Sequence, residues 1–146
     1  MNTIRVKKLS PNAILPTYGS IEAAGADLYA CCEDTVIEAH SRKLIPTGIA
    51  IECDRCDVVS LICARSGLAS KRGLAPANKV GVIDSDYRGE IMVALHNHGT
   101  SAQTVERGER IAQLVIAPYF TADFCEVEEL SDTARGEGGF GSTGRK

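Results

Sequence analysis

Short apolar runs in period-two alternation, cut at close intervals by glycine and proline, leave this chain little choice of architecture. The runs are Ile4 and Val6, Thr35 to Ala39, Thr47 to Cys53, Asp57 to Cys63, and Glu90 to His96, and in the last of them Ile91, Val93 and Leu95 share one face. An extended backbone places alternate side chains on opposite sides, so each run reads as a strand with one buried face. Breaks at Asn12, Pro16 and Gly19, then at Pro46, Gly48, Gly73, Pro76, Gly81, Gly89 and Gly99, recur at the spacing of an all-β sandwich or barrel. They leave no room for βαβ units. Only Ser66 to Arg72 reads as helix, with Ser66 as the expected N-cap, Leu68 and Ala69 as apolar contacts, and Gly73 as the stop.

The chain has 146 residues, the size of one domain. Within it, residues 1–130 are expected to form the β domain and residues 131–146 a separate flexible segment. That segment, SDTARGEGGFGSTGRK, holds five of the fourteen glycines, no aliphatic residue beyond Ala134, and one aromatic, Phe140. It cannot build a core, and its plain reading is a disordered terminus. The lone Phe140 resists that reading.

Charged residues at 24% and apolar ones at 44% are the proportions of a soluble globular protein. Uncharged stretches such as Thr47 to Ile51 and Ile111 to Phe120 fall far short of the ~20 apolar residues of a membrane helix, and no membrane partner is expected. The opening MNTIRVKKLSPN carries charges and no apolar core, so it does not read as a secretory signal and a cytoplasmic location is expected. Net charge is −3 and the basic residues are scattered, which argues against nucleic acid as a partner. A phosphate ligand would have to be held locally. Six cysteines in an unexported chain stay reduced. Cys53 and Cys56 have zinc-knuckle spacing but no matching second pair, so buried small hydrophobes are the preferred reading.

Gly136, Gly138 and Gly141 stand in GxGxxG order, but a dinucleotide fingerprint must follow a strand, open a helix and be trailed by an acid, and here the chain soon ends. What survives is the general capacity of glycine amides to wrap phosphate oxygens, with Arg135, Ser142 and Thr143 adding donors and Phe140 a flat face. The segment reads as a lid.

Arg65, Ser66 and Gly67 lie where an apolar strand meets the short helix, so the amides of Ser66 and Gly67 with the Arg65 guanidinium can form an anion site. An ordinary N-cap beside a solvated arginine is the plainer reading of that segment alone. In NKVGVIDSDYRGE, residues 78–90, Asp84 follows Val82 and Ile83, and a carboxylate ending a buried strand is costly unless it acts, for example by polarising a water. A turn aspartate beside Ser85, Asp86 and Gly89 is the alternative. Asp84, Asp86 and Glu90 could instead ligate a metal, but they share one side only if no turn intervenes, and different roles for each are favoured. Gly25 and Asp27 read as an acidic loop, and Arg110 with Gln113 as a polar pair in a strand-like run.

Taken in order, AGADLYA, ARSGLAS, NKVGVIDSDYRGE, GERIAQLV and RGEGGFGSTG closely resemble the five motifs of the trimeric all-β dUTP pyrophosphatase family, from residue 24 to 144. The resemblance implies a jelly-roll-like β-barrel that assembles as a homotrimer, with three active sites at subunit interfaces and the glycine-rich segment lent to a neighbour. It implies dUTP as substrate, cleaved to dUMP and pyrophosphate. Asn78, Gly81 and the backbone around Val82, Ile83 and Met92 would form the uracil slot, Tyr87 would lie under the deoxyribose, and Phe140 would stack on the base. Asp84 would be the general base. Arg65, Ser66, Gly67, Gln113, Arg135, Gly141, Ser142 and Thr143 would hold the phosphates. Mg²⁺ would bridge the triphosphate and meet Asp27 through water. His40, His96 and His98 match no family site and read as surface or edge-strand residues. The rival readings are a dCTP deaminase of the same superfamily, which normally lacks the DYRGE pattern around Tyr87, and a nucleotide-binding member without turnover.

Overall fold

The computed structural model describes residues 3–139. Among them are twelve strands: β1 (Ile4–Lys8), β2 (Thr17–Tyr18), β3 (Ala26–Tyr29), β4 (Thr35–Ile37), β5 (Arg42–Pro46), β6 (Ile49–Cys53), β7 (Val58–Cys63), β8 (Leu74–Pro76), β9 (Gly81–Ile83), β10 (Met92–Asn97), β11 (Gln103–Val105) and β12 (Arg110–Pro118). One helix, α1 (Ser66–Arg72), follows β7. All strand pairs are antiparallel, in four sheets ordered β1-β6, β5-β10-β8, β11-β4 and β2-β3-β12-β7-β9. Most sheet neighbours are distant in sequence, which is the mark of crossing connections rather than a meander.

The expected alternation decides the core. Ile91, Val93 and Leu95 are each at most 1% exposed, and they join Ile37, Ile45, Ile49, Leu74 and Ile111 in a single apolar cluster. Each such side chain contributes about 1.5–3 kcal/mol relative to an exposed position. Asn97, fully buried in β10, satisfies its polar atoms: Nδ2 donates to the carbonyls of Ile37 at 3.0 Å and Ser101 at 2.8 Å, and Oδ1 accepts from the Gly99 amide at 2.9 Å.

Several boundaries differ from expectation for local reasons. The Thr47 to Cys53 run begins as strand only at Ile49, because Gly48 turns with φ 70. Of the acidic loop expected at Gly25 and Asp27, Gly25 is a bend just before β3, whereas Asp27 lies buried within β3. Helix α1 has the expected span, but Arg65 takes the N-cap position in extended conformation, φ −85 and ψ 123, without a side-chain cap. Ser66 is the first helical residue, and its carbonyl accepts from Ser70 Oγ at 2.7 Å. Gly73 ends the helix with φ 67, its amide donating to the Ala69 carbonyl at 3.1 Å. His96 lies in β10, the middle strand of its sheet, and not on an edge.

Candidate active site

Five of the expected phosphate-side residues meet across the large sheet. Gln113 in β12 stands in register with Asp27 of β3 on one side and Cys63 of β7 on the other. Two residues beyond Cys63 the chain reaches Arg65, Ser66 and Gly67 at the start of α1. Gly25 lies close against Gln113, since a Cβ there would sit 3.2 Å from Gln113 Cβ. Asp27 holds the group together: Arg65 Nε donates to its Oδ1 at 2.8 Å, and Arg110 donates to its Oδ2 at 3.2 Å. Arg65 also donates to the Arg110 carbonyl at 3.2 Å. One buried carboxylate thus gathers two guanidiniums and leaves a net positive cluster beside the amides of α1, a setting suited to an anion.

Arg110 is a residue the motif reading left out of the site. On a regular strand, residues 110 and 113 point to opposite faces. A β-bulge between Arg110 and Ala112 breaks the alternation, so Ile111 and Ala112 are both buried while Arg110 and Gln113 both serve the Asp27 side.

The nucleoside-side residues share one cavity of about 390 Å³, lined by Asn78, Gly81, Val82, Ile83, Asp84, Tyr87 and Met92. Leu44 and Ile62, which no motif pointed to, complete its apolar wall. Gly81 brings the backbone close, because a Cβ there would lie 3.1 Å from Ile62 Cβ and 3.3 Å from Asn78 Nδ2. The arms of this loop do not form a hairpin ladder. β9 pairs with β7 and β10 pairs with β5 and β8, so the cavity opens between two sheets. Asp84 is exposed, and Val82 beside it is 65% exposed. Within one chain Asp84 therefore does not end a buried strand, as its apolar neighbours implied; only Gly81 and Ile83 of β9 face inward.

The two groups are separate: none of Arg65, Ser66, Gly67 or Gln113 lines the cavity. Arg135 does not line the cavity, and its Nε donates to the Gly138 carbonyl at 2.7 Å within its own segment. Phe140, Gly141, Ser142 and Thr143 lie outside the described residues. For a metal, no cluster of three His, Cys, Asp or Glu side chains is present among the described residues. Asp27 is the acid of the cationic cluster, and its two arginines occupy two of about four acceptor positions of a carboxylate. It fits a role as acceptor from a metal-bound water and does not fit a direct cage. No helix among the described residues is long and apolar enough to cross a membrane.

The family model for dUTPase matches residues 11–144. The chain belongs to the dUTPase family. Among dUTPase relatives, the deoxyuridine 5'-triphosphate nucleotidohydrolase of Nautilia profundicola is 53% identical over 142 residues, spanning 97% of this chain and 99% of the relative. That of Citrobacter koseri is 46% identical over 151 residues, spanning 100% and 99%. The solved dUTPase of Staphylococcus bacteriophage 80alpha with dUPNHPP matches with a TM-score of 0.90 at 32% identity and covers 99% of each chain. A mutant dUTPase of phage phi11 of S. aureus, described with a structural Mg(II) ion, matches with a TM-score of 0.80 at 26% identity over 89% of this chain and 99% of that one. The jelly-roll-like, mostly β architecture with one short helix is therefore that of dUTPases.

Proposed function

We propose that this chain hydrolyses dUTP to dUMP and pyrophosphate, limiting uracil in DNA and supplying dUMP for dTMP synthesis. The observation that carries the reading is the sorting of its residues: Asn78, Gly81, Val82, Ile83, Asp84, Tyr87 and Met92 line one cavity, while Arg65 and Gln113, with Ser66 and Gly67 next in the chain, gather around Asp27 elsewhere on the same chain. Such separation suits a homotrimer in which the phosphate cluster of one subunit faces the nucleoside loop of another. Residues 131–146 of a third subunit then close the site, bringing Arg135, Phe140, Gly141, Ser142 and Thr143. Family membership and the phage relative solved with dUPNHPP support the substrate.

In the cavity, backbone groups around Val82, Ile83 and Met92 present a fixed order of donors and acceptors. Uracil matches it, whereas cytosine reverses the groups at N3 and C4 and leaves polar atoms unpaired. The thymine methyl is excluded by the close backbone at Gly81, and the ribose hydroxyl by the Tyr87 ring. Asp84 orients a water and takes its proton as the water oxygen bonds to the α-phosphorus. The bond from that phosphorus to the bridging oxygen breaks, and pyrophosphate departs with the electron pair. Arg65, the Ser66 and Gly67 amides, and Gln113 hold the phosphate oxygens as charge gathers on them. Asp27 would hold Mg²⁺ through the ion's water shell, and the ion would supply neutralisation of part of the triphosphate charge. The six free thiols accord with a cytoplasmic setting.

Incubation with dUTP, dCTP, dTTP and UTP tests the reading. Pyrophosphate from dUTP alone is expected. Ammonia from dCTP would make the chain a deaminase, and tight dUTP binding without turnover would make it a binding member.

A further inference from the structure

The loop that carries Asp84 and Tyr87 is exposed, and its own bonds are mostly internal. The Tyr87 amide donates to the Asp84 carbonyl at 3.1 Å, and Arg88 donates to the carbonyls of Ser85 at 2.8 Å and Tyr87 at 3.1 Å. Outside the loop, among the described residues, Arg88 hydrogen-bonds only to the half-buried Glu52, at 3.5 Å. These contacts shape the loop without fixing it to the frame.

The fixed point is Glu90. Its Oε1 accepts the buried amide of Gly48 at 2.7 Å. Gly48 is itself held: it is buried against Cys31 and Ala13, and its carbonyl accepts from the Leu9 amide at 2.7 Å. The next residue is pinned as well: the Ile91 carbonyl accepts from Thr47 N at 3.2 Å and Thr47 Oγ1 at 2.6 Å, and the Ile91 amide donates to the Ile49 carbonyl at 2.8 Å. On this anchored stretch rests the tyrosine, whose hydroxyl donates to the Glu90 carbonyl at 3.1 Å. Gly89 leaves the space, since a Cβ there would lie 2.3 Å from the Tyr87 hydroxyl oxygen.

We propose that Glu90 is a positioning residue for sugar selection: by holding the Gly48 amide it fixes the carbonyl that seats the Tyr87 hydroxyl, and so sets the height of the ring against the ribose. The inference rests on the reading of Tyr87 as the floor of the sugar site and adds the residue that keeps that floor in place. A glutamine retains an oxygen able to accept from Gly48, whereas an aspartate keeps the charge but is one methylene too short. Acceptor reach, not charge, is the property that matters.

The experiment compares kcat/KM for dUTP and UTP in the full-length protein and in Glu90→Gln, Glu90→Asp and Glu90→Ala. The dUTP preference is expected to fall about tenfold or more in the Asp and Ala variants, chiefly through KM, because small misplacements of positioning groups are felt strongly. Glu90→Gln is expected to keep the wild-type ratio. Loss in Gln as great as in Ala, or an unchanged ratio in folded Asp or Ala, overturns the anchor. Should Glu90→Ala not fold, the Gln and Asp variants decide. A wild-type chain that accepts UTP as readily as dUTP would instead remove the Tyr87 reading, and the anchor with it.

Discussion

Asp27 Oδ1 lies 2.8 Å from Arg65 Nε, an ion pair whose acid is 7% exposed at its side chain. Arg110 shares the same carboxylate, so removing its charge leaves two guanidiniums facing each other. Breaking a buried pair costs more than the pair contributes, and here both arginines retain some water contact. Asp27→Asn is expected to lower stability by about 1–3 kcal/mol and to weaken triphosphate binding as the arginines part. Urea unfolding checks the first and titration with a non-hydrolysable dUTP analogue the second. Unchanged values in both would mean that Asp27 does not organise the cluster.

Asp84 lines the nucleoside cavity, is exposed, and makes no side-chain hydrogen bond among those found in the described residues. Its carboxylate is thus free to serve a water. Asp84→Asn keeps size and shape but removes the basic oxygen, so turnover of dUTP is expected to fall by roughly 10²-fold or more. Affinity for the non-hydrolysable analogue should stay near the original value. Single-turnover rates separate the two effects, and a near-normal rate would exclude Asp84 as the base.

What could be read in advance was whatever local pattern determines. The span of α1 was legible because Gly73 gives a sharp left-handed stop, and β7 and β10 because alternation survives in them. β3 was not, since Ala26, Asp27 and Leu28 are all buried and show no alternation. The burial of Asp27 is set by arginines 38 and 83 residues away, a relation no local window contains. Arg110 was hidden by a bulge, which overrides the period of two. The cavity residues were legible through their motif, while Leu44 and Ile62 come from strands whose proximity only the pairing of sheets creates. Glu90 stood out only as one of three motif acids, and its bond to the Gly48 amide was not legible because that amide lies 42 residues earlier.

Gly48 offers a stability test of the β5 to β6 turn. A substitution to alanine meets two penalties: a left-handed backbone at φ 70, and a Cβ 2.6 Å from Cys31 Sγ. Strain of each kind costs about 1–3 kcal/mol. Gly48→Ala is expected to destabilise by about 2–5 kcal/mol in urea unfolding, with Cys31→Ala in the same chain recovering part of the loss. Full stability in the single variant would show that the turn can move.

His98 gives a pH dependence with a definite sign. Its pKa lies below the usual histidine value, first through desolvation and then through the nearby charges of His96, Lys79 and His40. The His96 ring is 4.3 Å away between centroids, and its Nδ1 is buried without a partner. A histidine depressed in the folded state takes up a proton more readily when unfolded. Stability is therefore unaffected by this group well above its ordinary pKa, and declines as pH falls through that value of 6.5 toward the lower folded one. His98→Gln should flatten the decline between neutral and mildly acid pH, measured as the urea midpoint against pH. An equal slope in the variant would place the proton uptake elsewhere.

Strand pairing ends at Pro118, and residues 121–137 are exposed and without strand. Phe120 and Phe124 are 100% and 98% exposed there, which one chain alone does not explain. The proposed lid begins later, at Ser131, so a chain ended after Leu130 keeps these aromatics and every strand among the described residues. Such a protein is expected to unfold at the same urea concentration as the full chain and to sediment as the same oligomer. Its kcat/KM for dUTP should fall by about 10²-fold, since the donors and stacking face of the proposed lid would be missing. Normal hydrolysis by the shortened chain would remove the segment from the reaction. A fall in both sedimentation and stability would instead make residues 131–146 part of the assembly.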